Sequence, residues 1–158
     1  RGSALHAALT ASQCRGFYIR HKTKGLYTDA VIYAPDVPLF RDERDALLEE
    51  PFPRCSFAVA AAPNAGVARR DGVADAEIKE VLRARISRVL TVARVRGHRD
   101  VILGAFGCGV FRNDPEVVAA AFADALAAEH RGAFRNVIFA IKGGPPANLA
   151  AFRARFRT

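Results

Sequence analysis

The sequence predicts an α/β fold, and three observations carry that reading. Short apolar runs of strand length sit between Pro, Gly and Asn residues. They alternate with longer stretches in which apolar residues return every three or four positions, the period of a helix buried on one face. A glycine-rich loop, Gly104 to Asn113, carries the chain from one such run into one such stretch. The predicted order is α, β, β, α, β, α, β, α, and strands joined by helices pack as an α/β sandwich. Residues 1–158 are read as a single domain, without internal repeats or low-complexity segments.

The elements follow in order. Ser3 to Thr10 is a helix fragment with Ala4, Leu5, Ala8 and Leu9 on its apolar face; His6 within it is read as a partly buried structural histidine. Gly16 to Gly25 is basic and loop-like, with Phe17 and Tyr18. It is either an electropositive rim or an ordinary solvated loop, and the second reading is preferred. Asp29 to Ala34 is an apolar, β-branched strand that Pro35 is expected to end. Asp36 to Pro53 is a Pro-punctuated acidic loop, and its adjacent Glu49 and Glu50 have nothing around them to raise a carboxyl pKa. Cys55 to Ala61 is a second strand, and Pro63 to Gly66 form a turn at its end. Ligands gather beyond the carboxyl ends of strands in open α/β sheets, so Asn64 either lines a cleft there or serves the turn alone.

Asp75 to Arg96 is the longest helix, with Ile78, Val81, Leu82, Ile86, Val89, Leu90 and Ala93 in one stripe and Arg83, Arg88 and Arg94 off it. Gly97 is placed to end it. The strand Asp100 to Leu103, the glycine loop and a helix to about His130 come next; Asn113 or Asp114 is the cap and Pro115 the first helical residue. Phe134 to Ile141 is the last strand. A closing helix begins at Pro146 or Asn148 and turns Leu149, Phe152 and Phe156 inward.

The chemistry is concentrated in the loop. Glycines at 104, 107 and 109 let the backbone approach a ligand closely, and consecutive N–H groups of such a loop form an anion cradle. The following helix N-terminus is expected to add positive partial charge. A phosphate or diphosphate fits that geometry. The spacing is GxxGxG and not GxGxxG, and the strand to Ile141 is followed by Lys142 where a ribose-binding acid would stand, which disfavours a dinucleotide dehydrogenase. No GK[ST] follows, so a nucleotide-triphosphatase loop is excluded as well. Cys108 lies inside the loop without a neighbouring histidine and is read as a small buried residue in preference to a nucleophile.

The net charge of +8 is arginine-rich, with only four lysines, and attracts polyanions without choosing among them. Three widely spaced cysteines give neither CxxC nor His–Cys metal spacing and point to a reducing compartment, and no metal is implied. No apolar run approaches the roughly 20 residues a membrane span needs.

Taken together, GAFGCGVFRNDP, APNAG before it and LYTDAVIYAPDVPLFRD earlier still resemble the bacterial-type poly(ADP-ribose) glycohydrolases of the macrodomain superfamily, in order and over essentially the whole chain. The resemblance implies a macrodomain-like three-layer α/β/α sandwich with a mixed sheet. It makes residues 1–158 the C-terminal part of a larger catalytic domain. It implies that Gly104, Ala105, Phe106, Gly107, Cys108, Gly109, Val110, Phe111, Arg112 and Asn113 wrap the diphosphate of ADP-ribose, with Phe111 beside the distal ribose. The adenine would lie near Phe139 and Ile141. It also implies cytoplasmic turnover of ADP-ribosylated proteins in the DNA damage response, without a cofactor.

The family's catalytic motif is a glycine triplet followed by Gln-Glu-Glu, whose second glutamate serves as the acid. Neither GGG nor QEE occurs in the chain, which has no methionine and begins at a helix resembling the one that follows the motif in the family. The expectation is a chain lacking an N-terminal segment, with no catalytic residue of its own and no hydrolytic activity alone. Two alternatives to the glycohydrolase stand: a non-catalytic ADP-ribose-binding macrodomain and, more weakly, a basic nucleic-acid binder.

Overall fold

In the computed structural model, residues 4–15, 17, 24–142 and 144–156 are described. Most of the basic stretch from Gly16 to Gly25, including Tyr18, therefore lies outside the described residues. The elements are α1 (Ala4–Thr10), β1 (Ile32–Pro38), β2 (Arg54–Val59), α2 (Ala65–Arg70), α3 (Asp75–Val95), β3 (Asp100–Leu103), α4 (Pro115–Ala127), β4 (Asn136–Phe139) and α5 (Pro146–Arg155). The α/β class is as expected. Strand pairing is antiparallel between β1 and β2 and parallel between β3 and β4, in two separate ladders among the described residues.

The core forms where α3, α4 and α5 meet. Leu82, Ile86 and Leu90 from α3, Val118, Ala119, Ala121 and Phe122 from α4, and Phe152 from α5 are all buried together with Cys108 of the glycine loop. Each fully buried side chain of the Leu or Phe kind contributes roughly 1.5–3 kcal/mol. Phe139 of β4 joins them through an aromatic cluster, its ring centroid 5.3 Å from Phe122, 4.9 Å from Phe152 and 4.5 Å from Phe156. The glycine loop thus leaves a strand and enters a helix that are both anchored in one core.

Several elements differ from expectation, each for a local reason. β1 starts three residues later than expected and runs through Pro35 to Pro38. Register passes from Ala34↔Phe57 to Val37↔Cys55, so Pro35 and Asp36 bulge opposite Ser56. A bulge leaves the extra residue out of the ladder, and that is where a proline without an N–H is tolerated. The Pro63–Gly66 turn opens a helix, α2, with Asn64 as its N-cap: Asn64 Oδ1 accepts from Val67 N at 3.1 Å. α4 stops at Ala127 and not near His130; the chain turns there and His130 is buried at 1% exposure. Of Asn113 and Asp114, it is Asp114 that caps α4, accepting from Glu116 N at 2.8 Å. His6 is exposed, not partly buried. Leu149 is exposed as well; Asn148 takes the inward position beside Phe152.

Candidate functional site

The glycine loop is built on one buried side chain. Asn113 is 5% exposed, and its Nδ2 donates to Pro63 O at 2.7 Å and to Gly107 O at 3.1 Å, while its backbone N also donates to Gly107 O at 3.1 Å. One amide therefore ties the two ends of the loop to each other and to the chain beyond β2. Gly107 has a φ of +75°, and a Cβ there would stand 2.6 Å from Ala62 Cβ and would overlap the Asn113 amide. Glycine is required at 107 by the packing of the loop itself. Gly109 is the opposite case: a Cβ there meets nothing within 4 Å.

The loop rests against α2. Gly66 N donates to Phe111 O at 3.2 Å, and Arg69 Nη1 to Arg112 O at 3.3 Å. Within the loop, Cys108 N is used by Ala105 O, Arg112 N by Gly109 O and Asn113 N by Gly107 O. The N–H groups of Ala105, Phe106, Gly107, Gly109, Val110 and Phe111 have no hydrogen-bond partner among the described residues. Of these residues Phe106, Gly107, Val110 and Phe111 line a hollow of about 450 Å³. Phe106, Gly107, Val110 and Phe111 form one wall, Val59 to Ala62 the other, and Phe17 closes the rim.

This wall is apolar, and among the described residues neither a carboxylate nor a cation lines it. With no charged side chain there, the polar groups that the loop itself leaves unpartnered are backbone amides. At the start of α4 the carboxylates of Asp114, the N-cap, and Glu116 in the first turn already offset the positive end of the helix dipole. Cys108 is buried, and burial, with a smaller effect from nearby Asp114, pushes its thiol up to about 11. A thiol that stays protonated at neutral pH is not a nucleophile. No cluster of metal-ligating side chains occurs among the described residues.

The remaining residues singled out in the sequence fall as follows. Asn64 spends its side-chain oxygen on capping α2. Phe139 and Ile141 pack against the core and do not line the hollow. Glu49 and Glu50 are exposed. Tyr27 was not singled out, although its ring lies 5.6 Å from that of Phe111. Its backbone φ is +59°, a conformation no sequence pattern signals in a tyrosine.

Comparison with known proteins now adds to this geometry. The family model for the microbial-type PARG catalytic domain matches residues 1–42. The crystal structure of poly(ADP-ribose) glycohydrolase from Deinococcus radiodurans in complex with ADP-ribose is 41% identical, with a TM-score of 0.86 over 98% of this chain and 64% of that one. The apo form of the Deinococcus enzyme gives 41% and 0.85, over 98% and 65%. The enzyme from Thermomonospora curvata is 45% identical, with a TM-score of 0.84 over 98% of this chain and 57% of that one. The chain thus spans less than two thirds of the length of these relatives. No curated protein matches it. The resemblance to bacterial-type poly(ADP-ribose) glycohydrolases, and the α/β fold it implied, are borne out.

Proposed function

We propose that this chain, similar along nearly its whole length to bacterial poly(ADP-ribose) glycohydrolases, forms the ADP-ribose-holding part of such an enzyme. The observation that carries the reading is the set of unpartnered amides at Phe106, Gly107, Val110 and Phe111, residues that line a hollow of about 450 Å³, in a chain similar to one solved with ADP-ribose. In this reading residues 104–113 hold the diphosphate and Phe111 packs beside the distal ribose. Its partners are poly(ADP-ribose), ADP-ribose and ADP-ribosylated proteins. Three free cysteines fit a reducing cytoplasm, and no described helix is long and apolar enough to cross a membrane.

The reaction is hydrolysis of a ribose–ribose O-glycosidic bond. It needs a carboxyl group to protonate the leaving oxygen and support an oxocarbenium-like transition state. The described wall of the hollow presents no such group. That observation favours, as a second reading, binding without catalysis for the 158 residues themselves. Calorimetric titration with ADP-ribose, paired with an assay for ADP-ribose released from polymer, tests both. Saturable one-site binding without release is the expected result. Absence of binding overturns the proposal, and release by the purified chain overturns the assignment of the acid elsewhere.

A further inference from the structure

We infer that Arg85, on the inner face of α3, is a positioning residue of the proposed ADP-ribose cleft: it fixes the Leu26–Asp29 segment so that Tyr27 is held against Phe111. The inference rests on the reading above and goes beyond it in naming what shapes the cleft from behind. Arg85 is 1% exposed, in a stripe otherwise filled by Leu82, Ile86 and Leu90. A guanidinium there must be fully engaged, because an unpaired buried charge is prohibitive. Its Nε donates to Asp29 Oδ1 at 3.0 Å, and its Nη2 lies 2.9 Å from the same oxygen and 3.4 Å from Leu26 O. Its Nη1 donates to Ala61 O.

These partners sit on both sides of the cleft. Ala61 belongs to the wall that faces Phe111 across the hollow. Leu26 and Asp29 flank Tyr27, whose ring lies 5.6 Å from Phe111. Tyr27 holds a left-handed φ of +59°, which a residue of its kind keeps only when its neighbours impose it. They do so from two directions: Asn64 N donates to Gly25 O at 2.7 Å ahead of Tyr27, and Arg85 grips the chain on either side of it. As a source of stability a buried ion pair does little better than well-packed apolar side chains. What the rigid guanidinium fork supplies is relative position, with the Leu26–Asp29 segment and Ala61 set from one planar group.

The test is a double-mutant cycle read by calorimetric titration with ADP-ribose. Asp29 is suited to it, because its side chain is 56% exposed and its truncation leaves no cavity; since Asp29→Ala removes the carboxylate partner of an Arg85 that is 1% exposed, it also lowers the thermal midpoint, and affinity is read well below that midpoint. Asp29→Ala and Tyr27→Ala are each expected to weaken binding about tenfold, and the double variant no further than either single one, because both act through one contact. Arg85→Lys, which keeps the charge without the fork, is expected to weaken binding similarly. Arg88→Met, an exposed arginine on the same helix, is the control and should bind as wild type. A purely structural role for Asp29 would lower the thermal midpoint and leave affinity unchanged well below it. Wild-type affinity in Asp29→Ala, or additive losses in the double variant, overturns the inference while the ADP-ribose reading stands. If the unaltered chain does not bind ADP-ribose, both fall.

Discussion

Gly107 and Gly109 lie two residues apart and do different work. At 107 the space for a side chain is already filled by Asn113 and Ala62, and φ is positive; at 109 the same space is open. We expect Gly107→Ala to destabilise the chain by about 1–3 kcal/mol, through strain and displacement of the buried Asn113 amide. Gly109→Val should leave the thermal midpoint close to wild type and weaken ADP-ribose binding, by placing a side chain on the open side of the loop. Thermal melts and titrations on the pair decide it. Intact binding in Gly109→Val would falsify the assignment of that face to the ligand. A glycine in a loop pattern is legible from sequence. Which of two glycines has its side-chain space filled and which has it open depends on atoms about 50 residues away, as with the Asn113 bond to Pro63. Arg85 was missed for a related reason. An arginine among apolar residues reads as one more solvated charge, and only Asp29, Ala61 and Leu26, brought from distant positions, make its burial tolerable.

Elements were legible in proportion to their length and punctuation. α3 runs for 21 residues with a buried stripe that is apolar except at Arg85, and ends one residue before its expected boundary. Its stop is written in Gly97, which has φ +80° and whose N donates to Arg94 O at 3.0 Å. Gly97→Ala meets no steric obstacle, so its whole cost is backbone conformation. We expect about 1 kcal/mol of lost stability in denaturant titration, with ADP-ribose affinity unchanged. α2 is only six residues long, and the sequence predicts a turn there because its cap residue Asn64 suits a turn equally well. The sequence predicts that β1 ends at Pro35, since nothing in it reveals that a bulge opposite Ser56 removes proline from the ladder.

At the scale of the molecule, net charge and cleft pull apart. The chain carries +8, yet no cation lines the described wall of the hollow. Binding that rests on loop amides should depend weakly on salt, whereas a polyanion lying across surface arginines releases counterions and depends steeply on it. We expect ADP-ribose affinity to change less than about fivefold between low and high salt, and single-stranded nucleic acid to lose far more and to compete poorly with ADP-ribose. A steep slope for ADP-ribose would move its site to the arginine surface. The parallel β3–β4 pair also shows one open face, with Ile102 73% and Ile138 56% exposed opposite each other in register. Parallel strands are ordinarily covered on both faces, and the pattern of these strands alone does not say which face is covered here.

The α/β class, the long helix, and the loop where a strand yields to a helix are all written in the order of residues, because each rests on local spacing and on residue types with narrow backbone preferences. Only the folded chain shows which loop amides stay unpartnered, why Gly107 admits no side chain, how Arg85 is satisfied in the core, and that Tyr27 meets Phe111. Those are matters of hydrogen-bond partners and excluded volume, and they arise only between residues that folding brings together.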